Sequence, residues 1–363
     1  MQLDMHYYGT YAMARAGGLT PKACKIIATA AQFVDDNAAS SHILFQDGGR
    51  IDAQATAHHV GSVIKNRDAE DQRQVWVPFH FLPGNEGNGF TERLVCRKDS
   101  TIAQEMVKHN LSFAGHEVGV YLIGVTAHVY VDTFSHHGFS GVGSRWNKID
   151  NDTLEFDKTD MDPDIRDYID KKREKFFRDY GSAGGWVANI KSWLAETVSG
   201  ALGHGAVATY PDRPYLRWSF EYEDPASDPI PRDNPTDFLD GCQALHKMFT
   251  QFGNKNSAWS AGDGVKFSAI KGAVKEVLAF EARKKDRVAL WCKVAKKGQL
   301  GGKKFTIPAY NEKEWLREAA NLNSRENSAM ALDSGLYRFY QAASIHRQYV
   351  LRDLLPKYDL VVA

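Results

Sequence analysis

The sequence predicts an all-α protein, with many helices around a single core and long loops between them. Three observations carry this reading. Apolar residues recur at helical spacing, helix-start and helix-stop residues flank them, and strand-like alternation is scarce. In chain order, Thr101-Ile-Ala-Gln104 has the spacing of a capping box and stands ahead of an apolar-rich stretch from Leu111 to Val131. Gly185 to Leu202 places Trp186, Ile190, Trp193, Leu194, Val198 and Ala201 on one helical face, stopped by Gly203. Two more helices are expected near Glu312–Ala320 and Gly335–Leu355, the latter ending before Pro356. Gln74–Phe81 is the best strand candidate, and Pro78 weakens it. Asp150 to Asp170 reads as an acid-rich, solvated insertion. Its DNDTLEFDKTDMD lacks the central Gly and terminal Glu of a calcium-binding EF-hand loop. Pro225 to Pro235 marks a loop and a boundary. It divides the chain into a helical core over residues 1–235 and a C-terminal helical extension, packed on that core, over residues 236–363.

The totals exclude several classes of function. Apolar residues make up 43% of the 363-residue chain and charged residues 25%, the balance of an ordinary globular protein. Lys+Arg and Asp+Glu both number 45, so the chain lacks the basic excess of a generic polyanion binder. The cysteines, Cys24, Cys96, Cys242 and Cys292, lie far apart with no C-x-x-C, and read as scattered, mostly buried thiols. The opening MQLDMHYYGTYAMARAGGL shows no signal peptide, so synthesis in the cytoplasm is expected, with signal-less secretion left open. The longest apolar-leaning uncharged stretch, Val118 to Val131, is too short for a membrane span. Arg283 to Lys304 carries nine Lys/Arg against one Asp. It reads as a solvated helix and turn, or more sharply as a peripheral contact for an anionic membrane surface or a phosphate-bearing substrate.

Histidine is the unusual item. Of 13, ten (His6, His42, His58, His59, His80, His109, His116, His128, His136 and His137) precede residue 138. Within AHVYVDTFSHHGFSG, His128, Asp132 and His136 are spaced four apart, an arc of about 80° on a helix. One helical face thereby presents imidazole and carboxylate together, a donor set suited to zinc. No Lys or Arg lies between Asn110 and Gly143 to pair Asp132 locally, and an unpaired buried charge is costly. Competing motifs fail. His116-Glu117 opens HEVGV rather than a zincin helix, no His-Asp dipeptide occurs, and no G-x-S-x-G is present.

With these residues in view, the chain resembles the all-α, zinc-dependent phospholipase C and single-strand nuclease superfamily, especially an uncharacterised bacterial branch. The resemblance covers roughly residues 1–220 and implies a metal cluster, three zinc ions, in a cleft between helices. It assigns Met1, through its terminal amine, and His6 as ligands; Asp4 either ligates in place of the amine or orients His6. Asp35 comes from AQFVDD, His80 from FHFLP, and the pair His128-x3-Asp132 follows, with Asp132 bridging two metals. His136 follows at a spacing of three rather than the usual five. LGHGAVATYPDRPYLRW gives His204 and a possible carboxylate partner, Asp212. Residues 1–235 thus become the metal-binding catalytic core.

The implied activity is phosphodiester hydrolysis, most simply a phospholipase C that releases diacylglycerol and a phosphorylated head group, with Asp35 as general base and Asp132 at the catalytic metals. A single-strand nuclease or phosphatase on the same cluster is the alternative. A non-catalytic, zinc-stabilised helical module is the alternative of another class. Aromatics near the ligands (Tyr7, Tyr8, Phe79, Phe81, Phe134 and Phe139) can stack on a base, cage a quaternary ammonium group, or simply pack. His42, His109, His246 and His346 read as structural or surface residues, and His58 and His59 as a polar pair.

Overall fold

The computed structural model describes residues 1–38, 41–57, 72–159, 161–181, 207, 209–223, 226–323 and 325–362. The chain enters through a π-helical turn, Asp4–Gly9, that runs directly into α1 (Thr10–Ala16). Helix α2 (Pro21–Asp36) starts at Thr20, whose hydroxyl accepts from the Ala23 amide, with Pro21 in the first turn, where its missing N–H costs nothing. Helix α3 (Thr101–Leu111) is capped by Ser100, one residue ahead of the expected cap. The apolar stretch after it divides, and α4 begins only at Gly119 and runs to Ser135.

Helix α4 organises the molecule. Every residue in it except Tyr121 is buried, as expected of a helix that is apolar nearly all round. It is surrounded by α2, α3, α6 (Asn234–Lys255) and α10 (Gly335–Gln348). Gly124 lets α2 approach closely: a Cβ there would stand 2.6 Å from the Ala30 Cβ and 2.7 Å from the Ile27 carbonyl oxygen. Further helices among the described residues include α5 (Pro163–Gly181), α7 (Phe267–Leu278), α8 (Lys284–Lys296) and α9 (Glu314–Leu322). Helix α10 continues as a π turn, Tyr349–Leu354, before Pro356. One cluster of buried side chains extends from Met1 to Val362, so segments on both sides of residue 235 share a core.

The all-α expectation is overturned. Two antiparallel sheets are present: a hairpin of β1 (His42–Leu44) and β2 (Arg50–Asp52), and a sheet of β3 (Ile149–Phe156), β4 (Arg217–Tyr222) and β5 (Ile230–Asp233) with β4 central. The reason is local. In β3 the acidic residues Asp150 and Glu155 face solvent while Ile149, Leu154 and Phe156 face inward, so the supposed insertion is an alternating strand leading into α5. In β4, Trp218, Phe220 and Tyr222 alternate into the same core, a period-two signal readable in RWSFEY. The Pro-rich stretch contains β5, an edge strand, where proline is tolerated. These strands and α5 enclose a second, aromatic-rich core with Phe81, Phe139, Tyr210 and Tyr215.

The strand expected at Gln74–Phe81 is helical instead: a π turn, Gln72–Trp76, followed by a single helical turn, Val77–Phe79, with Pro78 in its first positions. The helix expected over Gly185 to Leu202 lies outside the described residues. The basic segment forms α8 and the turn after it, exposing Lys284, Lys285, Lys293 and Lys296. Among the described residues no helix is long and apolar enough to cross a membrane. Cys24, Cys96 and Cys242 are buried and Cys292 is partly buried, all as free thiols.

Candidate metal centre

Five segments of the chain bring the polar residues together: the N-terminal turn, α2, the turn ending at His80, α4 with its C-cap, and the segment of Asp212. Two residues apart on any helix means roughly half a turn apart, so Asp4 and His6 leave the N-terminal turn on opposite sides. His6 points to α4. Asp4 points away and forms a buried ion pair with Arg287 of α8, at 2.7 and 3.1 Å. Asp4 is therefore not a member of the cluster, which corrects its nomination as a ligand. π turns are rare and collect at functional sites.

The described side chains around Asp132 fall into three groups. In the first, His80 Nδ1 and His128 Nε2 are 3.2 Å apart, and each lies 3.8 Å from Asp35 Oδ1. Asp132 Oδ2 stands 3.1 Å from His128 and 3.6 Å from His80. Two imidazoles on a tetrahedral zinc, with bonds of about 2.0 Å, would hold their nitrogens about 3.3 Å apart. In the second group the Met1 amine donates to Asp132 Oδ1 at 2.9 Å, while His6 Nε2 lies 3.3 Å from Asp132 Oδ1 and 3.7 Å from Asp35 Oδ2. In the third, the same amine is 3.4 Å from His136 Nε2 and 3.3 Å from Asp212 Oδ1, and those two atoms are 3.4 Å apart. Asp132 thus turns one oxygen to each of the first two groups. Buried groups of His and Asp able to hold a metal ion are present: His6, His128 and Asp132, and Asp35, His80 and His128.

The hydrogen bonds on the far side of the rings define what the near side offers. His128 Nδ1 bonds the Ala31 carbonyl at 2.8 Å, His80 Nε2 the Thr56 carbonyl at 2.8 Å, and His136 Nδ1 the His80 carbonyl at 2.9 Å. A carbonyl only accepts, so each of these nitrogens carries a proton, and the opposite nitrogen of each ring is turned towards the carboxylates. A ring nitrogen this close to a carboxylate oxygen either donates a proton to it or shares a cation with it. His6 stacks on His128 with ring centroids 3.9 Å apart, and neither of its ring nitrogens makes a hydrogen bond; Asp132 Oδ2 also lacks one. Buried polar atoms without partners are uncommon, and two of these, His6 Nε2 and Asp132 Oδ2, belong to the same cluster.

Electrostatics follow from the same geometry. Burial would pull the Met1 amine down, but Asp132, Asp212 and Asp35 outweigh it and push it up to about 11. Burial, with the neighbouring His128 and the amine, holds His6 down to about 4, so its ring is neutral. For Asp132, burial is outweighed by His136, the amine, His128 and His6, which keep its carboxyl well below the usual range. Burial would lower the His128 ring, but Asp132 and Asp35 outweigh it and raise it. The cluster opens at Asp35, whose side chain is 32% exposed against 1% for Asp132.

Met1, His6, Asp35, His80, His128, Asp132, His136 and Asp212 are thus brought together, and Asp4 is not. His204 lies outside the described residues, as do His58 and His59. His116 is exposed, His137 pairs with Asp237, and His246 and His346 bond main-chain carbonyls. The six aromatics near the ligands are all buried; Phe81, for instance, stacks on His136 at 4.8 Å. Trp76, half-buried with its ring 5.0 Å from His80, went unrecognised in the sequence.

So did the supports from the C-terminal third. Tyr310 donates to Asp36 beside Asp35, His346 bonds the Pro78 carbonyl at 2.8 Å, and Arg347 bonds the Ala55 carbonyl. Main-chain acceptors and long-range partners of this kind leave no spacing signal. No curated protein and no solved structure is detectably similar to the chain. Residues 1–354, however, match the model of a family of unknown function, DUF6765, and the chain belongs to that family.

Proposed function

We propose that the chain is a zinc-dependent phosphodiester hydrolase, most simply a phospholipase C. The reading is carried by one observation: a terminal amine, four imidazoles and three carboxylates converge on one enclosed space. Nitrogen and carboxylate donors without thiolate suit zinc, and three groups of donors suit three ions. Asp35, His80, His128 and Asp132 would hold one. The Met1 amine, His6 and Asp132 would hold a second. His136 and Asp212 would hold a third, with His204 as the resemblance implies.

Zinc there would supply Lewis-acid stabilisation of phosphoryl charge and a lowered pKa for water. The residues do the rest. Asp132, fully enclosed, fixes the spacing of the two groups it joins. Asp35, at the open edge, can accept the proton of a water that attacks phosphorus, and no covalent nucleophile is required.

The six aromatics around the ligands are packed inside rather than presented, so they offer no face for base stacking, which favours lipid over nucleic acid. Half-buried Trp76 remains for a cationic head group. The exposed lysines of α8 would meet an anionic membrane surface. The test is metal content per chain, with turnover of phosphatidylcholine and of single-stranded DNA by the wild type and Asp132→Ala. Bound metal with lipid turnover that Asp132→Ala abolishes is the expected result. DNA cleavage without lipid turnover would make the chain a nuclease. Bound metal with neither activity would leave a structural centre.

A further inference from the structure

Arg287 is almost fully buried on the inner face of α8, and all of its guanidinium nitrogens are engaged. Nε donates to Asp4 Oδ2 at 2.7 Å, and Nη2 donates to Asp4 Oδ1 at 3.1 Å and to Gln2 Oε1 at 2.7 Å. Nη1 donates to the Ala282 carbonyl at 2.6 Å. The guanidinium also lies 5.5 Å from the ring centroid of Tyr215, three residues after Asp212. One side chain therefore touches α8, the first four residues and the segment that carries Asp212.

A buried ion pair is a poor route to stability, because desolvating two charges offsets most of their attraction, and two apolar side chains of similar volume often serve as well. What a two-pronged guanidinium–carboxylate contact does supply is a single orientation. Orientation is the problem at this end of the chain. The first residues of a chain are ordinarily poorly ordered unless tied down. Here the Met1 amine sits within 2.9–3.4 Å of Asp132, Asp212 and His136. Gln2 and Asp4, the two residues that Arg287 grips, stand between the amine and His6.

We infer that Arg287 is a positioning residue for the metal centre: by clamping Gln2 and Asp4 it places the Met1 amine and His6 to receive a divalent metal ion. The inference rests on the metal-centre reading above. It makes α8, outside the ligand-bearing part of the chain, a determinant of metal binding.

The test is cobalt(II) titration of the full chain, read by visible absorption and by metal per chain. It uses the wild type, Arg287→Lys, Arg287→Met and the double variant Asp4→Asn/Arg287→Met. All three variants are expected to weaken one metal equivalent by about 10–100-fold, the usual effect of losing an outer-shell support. The equivalent held by Asp35, His80 and His128 should keep its affinity and its spectrum. Arg287→Lys keeps the charge but loses the fork. The double variant removes the pair without stranding either charge, so it separates position from charge and stays foldable where Arg287→Met alone is not. Wild-type occupancy and affinity in the double variant or in Arg287→Lys would overturn the inference. A wild-type chain that takes up no cobalt would instead overturn the metal-centre reading itself.

Discussion

The helical body and the sheet lobe treat their interiors in contrasting ways. Around α4 the body buries imidazoles and carboxylates, with the far nitrogens of His80, His128 and His136 tied to main-chain carbonyls and the near ones turned inward. The lobe buries rings against rings: Trp218 stacks on Phe220 at 5.3 Å, and Phe139 on Phe220 at 5.5 Å. A buried cation near the seam, Arg232, is spent on structure. It donates to the Ser135 and His137 carbonyls at 2.7 and 2.9 Å, closing the C-terminal end of α4, and lies over Trp218. The body therefore holds a preorganised set of groups that could take a metal ion, whereas the lobe is a largely aromatic wall that contributes Asp212 across the seam.

The sharpest way to break this contrast is Asp132→Ala. It removes the carboxylate shared by two groups of donors, and hydrolysis should fall by on the order of 10³-fold with loss of most bound metal. Metal analysis beside a turnover assay reads both. A chain that kept its metal would show that the body's polar interior is ordinary structure.

The next test concerns a buried imidazole outside the cluster, His346. Burial, with Arg347 and His109 nearby, lowers His346 to about 4, against about 6.5 when unfolded. The unfolded chain then takes up a proton that the folded chain refuses. Its contribution is complete above about pH 6.5 and is lost as the pH falls through 4, about 3 kcal/mol in all. Thermal unfolding from pH 7 to pH 4 should show a shallower decline in His346→Gln than in the wild type.

Asp212→Asn probes the seam. It should weaken one metal equivalent by about 10–100-fold and leave the group around Asp35, His80 and His128 untouched, as equilibrium dialysis would show. Uniform loss of all metal would mean that the lobe is part of the site rather than its wall. The smallest effect is expected for Arg232→Met. It should cost about 2 kcal/mol in urea unfolding by leaving two carbonyls unpaired, with metal affinity unchanged.

The same contrast explains what could be read in advance. His128, Asp132 and His136 were legible because a regular helix converts spacing into angle, so three side chains could be placed without coordinates. Asp35 and His80 rested on motif resemblance, and the structure sets them within 3.8 Å of His128 and of each other, respectively. Most strands left little signal: β1, β2 and β5 are too short to show a period, and β3 hides its alternation under acidic residues. β4, by contrast, carries a plain period-two pattern in RWSFEY. Asp4 misled because spacing along the chain cannot say that an arginine 283 residues away will claim a carboxylate.

One oxygen atom has a wider consequence. The Ala31 carbonyl that fixes His128 stands four residues before Asp35 in α2, where a regular helix also uses it to receive the Asp35 amide. A single acceptor thus serves as the common datum for two donors on different helices. Sliding of α2 along α4 would therefore strain the His128 bond and displace Asp35 in the same movement, so the geometry of both groups reports one helix–helix register.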